Sequence, residues 1–157
     1  MAMNMRTDRR SFLRTWAAGA AAAALGWLQP MLALAAGWNK PAFEAGNVEG
    51  AIQFAGVGDA IPSEDIVIKA PEIAENGAQV PVEILSNIPG TDQILIFSDK
   101  NVQPYVGLFE FSNGAEAFIS TRIKMGDTSK LRAVVRANGK YYVKVREVKV
   151  TIGGCGT

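Results

Sequence analysis

The stretch "LRAVVRANGKYYVKVRE", residues 131–147, decides the fold of this chain. Two segments rich in Val and Tyr flank the pair Asn138-Gly139. A two-residue type I′ turn needs a positive φ at both positions, which Asn and Gly adopt more readily than other residues. The stretch therefore predicts a tight β-hairpin in which residues 131–137 pair with residues 140–146.

Similar short runs precede and follow this hairpin. Val, Ile, Phe and Tyr dominate each run, and segments rich in Gly, Pro, Asn and Asp separate them. Seven or eight strands in about 90 residues are typical of an all-β sandwich of two sheets. The runs are "DIVIK" (65–69), "VPVEIL" (80–85), "QILIFS" (93–98), "YVGLFEF" (105–111), "AFISTRI" (117–123), the two arms of the hairpin and "VKVTI" (148–152).

Two local features modify this pattern. "NVEGAIQFA" (47–55) repeats apolar residues with helical spacing between Asn47, a good N-cap, and Gly56, so it predicts a short amphipathic helix after an irregular lead at 38–41. In the last strands, apolar residues occupy odd positions up to Val145 and even positions from Val148. This change of phase predicts a β-bulge or a bend near residues 146–147.

The N-terminal segment has the organisation of an export signal. "DRRSFLR" (8–14) is similar to the twin-arginine signal, residues 15–36 carry no charge, and "ALAA" (33–36) fits a signal peptidase site. These features predict a cleaved signal peptide over residues 1–35, export of a folded protein to the periplasm and no membrane attachment after cleavage. A retained membrane anchor is the alternative, but the Ala- and Gly-rich composition disfavours it.

Composition excludes several kinds of catalytic and cofactor site. The chain has no histidine and one cysteine, so a Ser-His-Asp triad, a Cys-His pair, a c-type haem, an iron–sulfur cluster and a Cys/His zinc site are excluded. The carboxylates show no spacing that singles out an acid/base pair. We therefore expect neither a cofactor, nor a metal site, nor catalytic residues.

Charge is distributed unevenly along the chain. Four arginines and Asp8 lie in residues 1–14, which leaves 12 basic and 14 acidic residues in the mature chain. Residues 36–99 hold two basic and ten acidic residues, whereas 100–157 hold ten basic and four acidic ones. Two explanations stay open: neighbouring strands neutralise each other, or a basic field surrounds the tail. We predict a solvated strand end and turn for the basic segment "RIKMGDT" (122–128). Nucleic-acid binding is not expected.

The single cysteine lies near the end of the chain, in "VKVTIGGCGT" (148–157). Gly153, Gly154 and Gly156 surround Cys155, and glycines leave the backbone free and add nothing to bury a thiol. Residues 153–157 therefore form a predicted flexible arm that exposes its thiol. Too few residues follow Cys155 for prenylation. A disulfide-linked homodimer and a covalent handle for a transferable group both remain possible.

Three segments make the chain resemble the SoxY family, the sulfur carriers of bacterial thiosulfate oxidation. They are "APEIAENGAQVPVEI" (70–84), "STRIKMGDTS" (120–129) and "VKVTIGGCG" (148–156). The resemblance implies an immunoglobulin-like sandwich over residues 36–152 and a sulfur substrate carried on Cys155. Thr157 stands where the family ends in Gly.

The resemblance also implies partners, since a carrier of this kind is not itself an enzyme. It implies a heterodimer with SoxZ and transient docking to the haem enzyme SoxAX, which couples thiosulfate to the thiol. It further implies docking to the manganese-dependent hydrolase SoxB and, where present, to SoxCD. The competing hypothesis is an exported binding or adhesion module that dimerises through a tail disulfide.

Overall fold

A computed structural model of the protein describes residues 39–151. The predicted signal peptide (1–35) and the predicted arm (153–157), with Cys155 and its three neighbouring glycines, lie outside the described residues. The predicted domain boundaries therefore remain predictions. Between residues 39 and 151, no helix has the length and apolar composition needed to cross a bilayer.

The described residues form two β-sheets and two short helices. The elements are α1 (Lys40–Glu44), α2 (Val48–Ala55), β1 (Ile61–Pro62), β2 (Ile66–Lys69), β3 (Ile73–Ala74), β4 (Val80–Ser86), β5 (Thr91–Ser98), β6 (Tyr105–Glu110), β7 (Phe118–Ile123), β8 (Ser129–Ala137) and β9 (Lys140–Val150). One sheet has the strand order β1-β9-β8-β5-β6, with β3 also paired to β9, and the other has the order β2-β4-β7. This arrangement confirms the predicted all-β sandwich.

The hairpin between β8 and β9 has the predicted turn. Ala137 pairs with Lys140, which leaves a two-residue loop. Asn138 has a φ of 52° and Gly139 a φ of 75°, the left-handed values that a type I′ turn needs. The Asn138 side-chain amide also donates to the Pro89 carbonyl at 2.9 Å, so the turn is attached to the neighbouring loop.

The sandwich core lies between the two sheets. Alternate residues of facing strands point into it, because successive side chains of a strand point to opposite faces. Its fully buried members include Ile84 from the small sheet and Ile94 and Leu131 from the large sheet. Among the described residues, the large buried side chains of this core are Ile66, Ile68, Val80, Val82, Ile84, Ile94, Ile96, Ile119, Ile123, Met125, Leu131, Val135 and Val148.

The two helices cover the outer face of the large sheet. Ala42 of α1 and Ala51 of α2 pack in a second cluster with Phe97 and Tyr105. The prediction for α2 is confirmed, since the Asn47 side chain accepts a hydrogen bond from the Gly50 N–H at 2.7 Å.

The predicted irregular lead is wrong at residues 40 and 41, which begin α1. Pro41 lies in the first turn, where a missing N–H breaks no helical hydrogen bond. The Asn39 side chain caps this helix by accepting a hydrogen bond from the Ala42 N–H at 3.2 Å.

The predicted β-bulge near residues 146–147 is wrong. Strand β9 pairs with β8 in one unbroken register from Lys140 to Val148. The phase change arises because both faces of β9 are covered. Near its start, Tyr141 and Val143 pack against the helical cluster, whereas Val148, further along, is buried in the sandwich core.

The uneven charge is partly neutralised by pairing between strands. Asp99 accepts two hydrogen bonds from the Arg132 guanidinium, both at 2.7 Å, and Asp92 accepts two from Arg136, both at 2.8 Å. Each pair joins an acidic residue of the first half to a basic residue of the second half. These contacts support neutralisation across the sheet as the explanation of the charge distribution.

Candidate functional site

The last described residues of β9 lead directly to the predicted site. We call residues 149–151 the arm root, since Thr151 lies four residues before Cys155. On one side, the arm root pairs with β3 in parallel. The Lys149 N–H donates to the Glu72 carbonyl at 2.9 Å, and the Thr151 N–H donates to the Ala74 carbonyl at 3.1 Å.

A side chain holds the arm root on its other side. The backbone pairing of β8 with β9 ends at Ser129 and Val148. Beyond it, the Val150 N–H donates to the Thr128 hydroxyl at 3.0 Å, and this hydroxyl lies 3.5 Å from the Val150 carbonyl oxygen. The Thr128 hydroxyl thus takes the place of the backbone carbonyl that a longer β8 strand would offer.

The turn that carries Thr128 is itself fixed by a neighbouring loop. The Asn101 side-chain amide donates to the Lys124 carbonyl at 2.7 Å, and its oxygen accepts from the Gly126 N–H at 3.1 Å. The Asp127 carboxylate accepts from the Thr128 N–H at 2.7 Å. The first part of the turn is therefore attached to the neighbouring loop, and the local Asp127 contact orients the Thr128 backbone.

A second loop packs against this turn at Gly77. The Met125 N–H donates to the Gly77 carbonyl at 2.7 Å. A Cβ at Gly77 would lie 2.4 Å from the Met125 carbonyl oxygen and 2.8 Å from a methyl carbon of Val150. Real Cβ atoms essentially never approach other atoms this closely. Only glycine fits there without a shift of the turn or of the arm root.

Residues 122–128 are more than the predicted solvated strand end and turn. Met125 is 1% exposed and belongs to the sandwich core, and Thr128 contacts the arm root. No sequence pattern points to Thr128, Gly77 or Asn101 individually. Thr128 and Gly77 lie in the segments that carry the family resemblance, and Thr128 also ends the basic segment 122–128.

Those three segments meet at the arm root. Residues 70–84 supply β3 and Gly77, residues 120–129 supply the turn with Thr128, and residues 148–151 are the end of β9. Cys155, Gly153, Gly154 and Gly156 lie beyond the described residues. The structure therefore gives the attachment point of the predicted arm and not the arm itself.

The shifted pKa values within residues 39–151 belong to structural contacts. A hydrogen bond from Arg136 lowers the pKa of Asp92, and a hydrogen bond to Asp99 raises the pKa of Arg132. Burial raises the pKa of Tyr105 to about 12, where its ring stacks on Phe97. In the same residues, no group of three or more His, Cys, Asp or Glu side chains is placed to hold a metal ion.

An open cavity of about 490 Å³ lies between residues 86–91 and 111–117. These loops adjoin the β8–β9 turn through the contact between Asn138 and Pro89. Strand β9 runs from this turn to the arm root over 11 residues, which is roughly 35 Å. The cavity is therefore at the opposite end of the sandwich from the predicted arm.

Comparisons with known proteins point to the same family as the three segments that meet at the arm root. The family model for the sulfur oxidation protein SoxY matches residues 53–155. The structure of the sulfur carrier protein SoxY from Chlorobium limicola f thiosulfatophilum matches with 45% sequence identity and a TM-score of 0.59. This match covers 68% of this chain and 97% of that chain.

A more distant match is to a structure described as the structural basis of T cell specificity and activation by the bacterial superantigen toxic shock syndrome toxin-1. It has 11% identity and a TM-score of 0.37, and it covers 55% of this chain and 99% of that chain. A similarity at this level carries no argument about fold or function. No curated protein sequence matched the chain.

Proposed function

This chain belongs to the SoxY family of sulfur oxidation proteins, and we propose that it carries sulfur intermediates covalently on Cys155. The relative of known structure is a sulfur carrier. The observation that carries the proposal is the position of the thiol. Cys155 is the only cysteine, and it lies four residues after Thr151, where the arm root that hydrogen bonds hold on both sides ends.

The short tether after a fixed strand end suits presentation of a small group to other proteins. Four residues span at most about 14 Å when extended. Gly153 and Gly154 allow backbone conformations that are closed to other residues, and Gly156 keeps the tip narrow. The thiol can then enter the cleft of an enzyme while the sandwich stays outside.

The proposed chemistry begins with oxidative coupling. The Cys155 thiolate and thiosulfate form a sulfur–sulfur bond, which gives a cysteine S-thiosulfonate and releases two electrons to the haem enzyme SoxAX. A free cysteine is only a few per cent thiolate near neutral pH. We therefore assign the base that deprotonates Cys155 to the partner enzyme.

Hydrolysis follows on the same thiol. SoxB adds water to the terminal sulfonate, so that sulfate and two protons leave and a persulfide remains on Cys155. Where SoxCD is present, it accepts six electrons from the remaining sulfane sulfur, which takes up three oxygen atoms from water, releases six protons and becomes a cysteine S-sulfonate. A second hydrolysis by SoxB then releases sulfate and two protons and restores the thiolate. In this scheme the chain bears the substrate, and the partner proteins perform catalysis.

We further propose that the chain works in the periplasm as a heterodimer with SoxZ. The twin-arginine resemblance of residues 8–14 supports export in the folded state, and a partner without its own signal can cross together with it. Replacing Arg9 and Arg10 by lysine should leave the protein unprocessed in the cytoplasm. Secretion of the doubly substituted protein at the normal level would contradict this route.

Intact mass of the purified protein tests the carrier function. Cells grown on thiosulfate should yield one chain with an added thiosulfonate group or added sulfur atoms, and Cys155→Ser should remove every adduct. In a reconstituted system without another SoxY, Cys155→Ser should also abolish thiosulfate oxidation. A mass that is mostly doubled, and that reduction restores to the single chain, would instead support the dimerised binding module.

A further inference from the structure

We propose that Thr128 is a positioning residue that sets where the arm begins. This inference rests on the proposed function, because it concerns the reach of Cys155. The hydroxyl of Thr128 accepts a hydrogen bond from the Val150 N–H at 3.0 Å, on the side of the arm root opposite β3. It thereby keeps residues 149–151 attached to the sheet, so that the predicted arm starts from a fixed point at Thr151.

Successive backbone N–H groups of a strand point to opposite sides. The N–H groups of Lys149 and Thr151 point to β3, where the Glu72 and Ala74 carbonyls accept them. The Val150 N–H points the other way, past the end of the paired part of β8. Thr128 is the group that accepts it, so its hydroxyl is the attachment of the arm root on that side.

Without Thr128, the arm root keeps only its contacts with β3 and the residues beside it. Strand β3 contains two residues, Ile73 and Ala74, whereas β9 pairs with β8 over nine residues up to Val148. The Thr151 hydroxyl adds only long hydrogen bonds, at 3.5 and 3.4 Å, to the Ala74 and Glu75 carbonyls. If the Thr128 hydroxyl is removed, the Val150 N–H loses its acceptor. The end of β9 then opens back to Val148, the last residue that a backbone ladder secures.

This opening changes the length of the tether. Counted from Thr151, Cys155 is four residues away, and counted from Val148 it is seven residues away. The effective concentration of a tethered group falls roughly as the −3/2 power of the tether length, so it falls about two-fold here. The enzyme that receives the thiol should then turn over more slowly, although it still binds the sandwich as before.

The experiment uses three substitutions in the full chain, purified together with its natural partner subunit. Thr128→Val keeps the shape and removes the hydroxyl, and Thr128→Ser keeps the hydroxyl. Thr91→Val is the matched control, because Thr91 is also half-buried and its hydroxyl donates to the Ile88 carbonyl at 2.8 Å. Thr91 lies at the opposite end of the sandwich from the arm root.

Three measurements separate positioning from general stability. Hydrogen exchange at residues 149–151 reports opening of the arm root, and the rate of Cys155 alkylation by iodoacetamide reports thiol reactivity. Steady-state kinetics with the enzyme that couples thiosulfate to the thiol give kcat and the KM for the carrier. All three are compared at the same fraction of folded protein.

We expect Thr128→Val to accelerate exchange at residues 149–151 and to lower kcat about two-fold, with KM and the alkylation rate unchanged. Thr128→Ser should restore both properties, and Thr91→Val should change neither. Equal effects of Thr91→Val and Thr128→Val would overturn the inference, as would an unchanged kcat despite faster exchange. Turnover by Cys155→Ser in the same assay would overturn the proposed function, whereas the exchange data test the attachment independently.

Discussion

Substituting Gly77 by Ala tests how tightly the arm root is packed. The added methyl group would lie 2.4 Å from the Met125 carbonyl oxygen and 2.8 Å from a methyl carbon of Val150. Because the first of these atoms belongs to the backbone, relief requires a shift of the turn rather than a side-chain rotation. Overpacking of this kind costs roughly 1–3 kcal/mol.

The unfolded chain changes the net effect slightly. Ala has fewer accessible backbone conformations than Gly in the unfolded state, and this offsets about 0.4–1 kcal/mol of the lost stability. We therefore expect Gly77→Ala to lower the free energy of unfolding by about 1–2 kcal/mol. Gly126→Ala is the matched control, because Gly126 lies in the turn that Gly77 contacts and its Cβ would meet no atom within 4 Å. That variant should be as stable as the wild type or slightly more stable.

Urea denaturation of the wild type and both variants in one buffer measures these differences. The m-value should stay constant, so that the change appears as a lower midpoint for Gly77→Ala alone. In thermal unfolding the same variant should lose about 4 °C per kcal/mol. Equal midpoints for Gly77→Ala and Gly126→Ala would refute the packing argument, because they would show that the loop and the turn separate at no cost.

Two further predictions concern the arm and an ion pair. Gly154→Val should slow turnover by the partner enzymes and leave alkylation of Cys155 unchanged, because a β-branched residue thickens and stiffens the tip; parallel loss of both rates would show that the glycines tune the thiol itself. Because Arg136 lowers the pKa of Asp92, this pair stabilises the fold above pH 4 and loses that contribution as the pH falls through the lowered pKa. The difference in unfolding free energy between the wild type and Asp92→Asn should therefore be larger at pH 6 than at pH 3, and a difference independent of pH would contradict it.

Features set by neighbouring residues were predictable from the sequence. The β8–β9 turn follows from Asn138-Gly139 because the two residues alone fix its backbone angles. Helix α2 was predictable for the same reason, since its N-cap Asn47 and its C-cap Gly56 adjoin it in sequence. The long strands followed from short runs of Val, Ile, Phe and Tyr between turn residues.

Features that depend on distant contacts were not predictable. Strands β1 and β3 have two residues each and exist only because they pair with β9. The phase change in β9 looked like a bulge because one face of a strand was assumed to be buried. The large sheet instead has the sandwich core on one face and the helices on the other, so both phases bury apolar residues.

The candidate site also has a part that the sequence predicts and a part that it does not. Cys155 stands out in the sequence because it is the only thiol and glycines surround it. The contact between Thr128 and Val150 joins residues 22 positions apart, and the contact between Gly77 and Met125 joins two different loops. No local sequence pattern predicts either contact, so both could be identified only from the structure.

The way in which β9 ends is itself an argument for a functional tail. Chain ends usually fray unless specific contacts hold them. Here each backbone N–H from Lys149 to Thr151 has a protein acceptor: the carbonyls of Glu72 and Ala74 and the hydroxyl of Thr128. Val148 is the last buried residue of β9, and Val150 packs against the edge of the sandwich core. The contacts hold the chain in place as far as Thr151, four residues before Cys155, which is what a thiol with a short, defined reach requires.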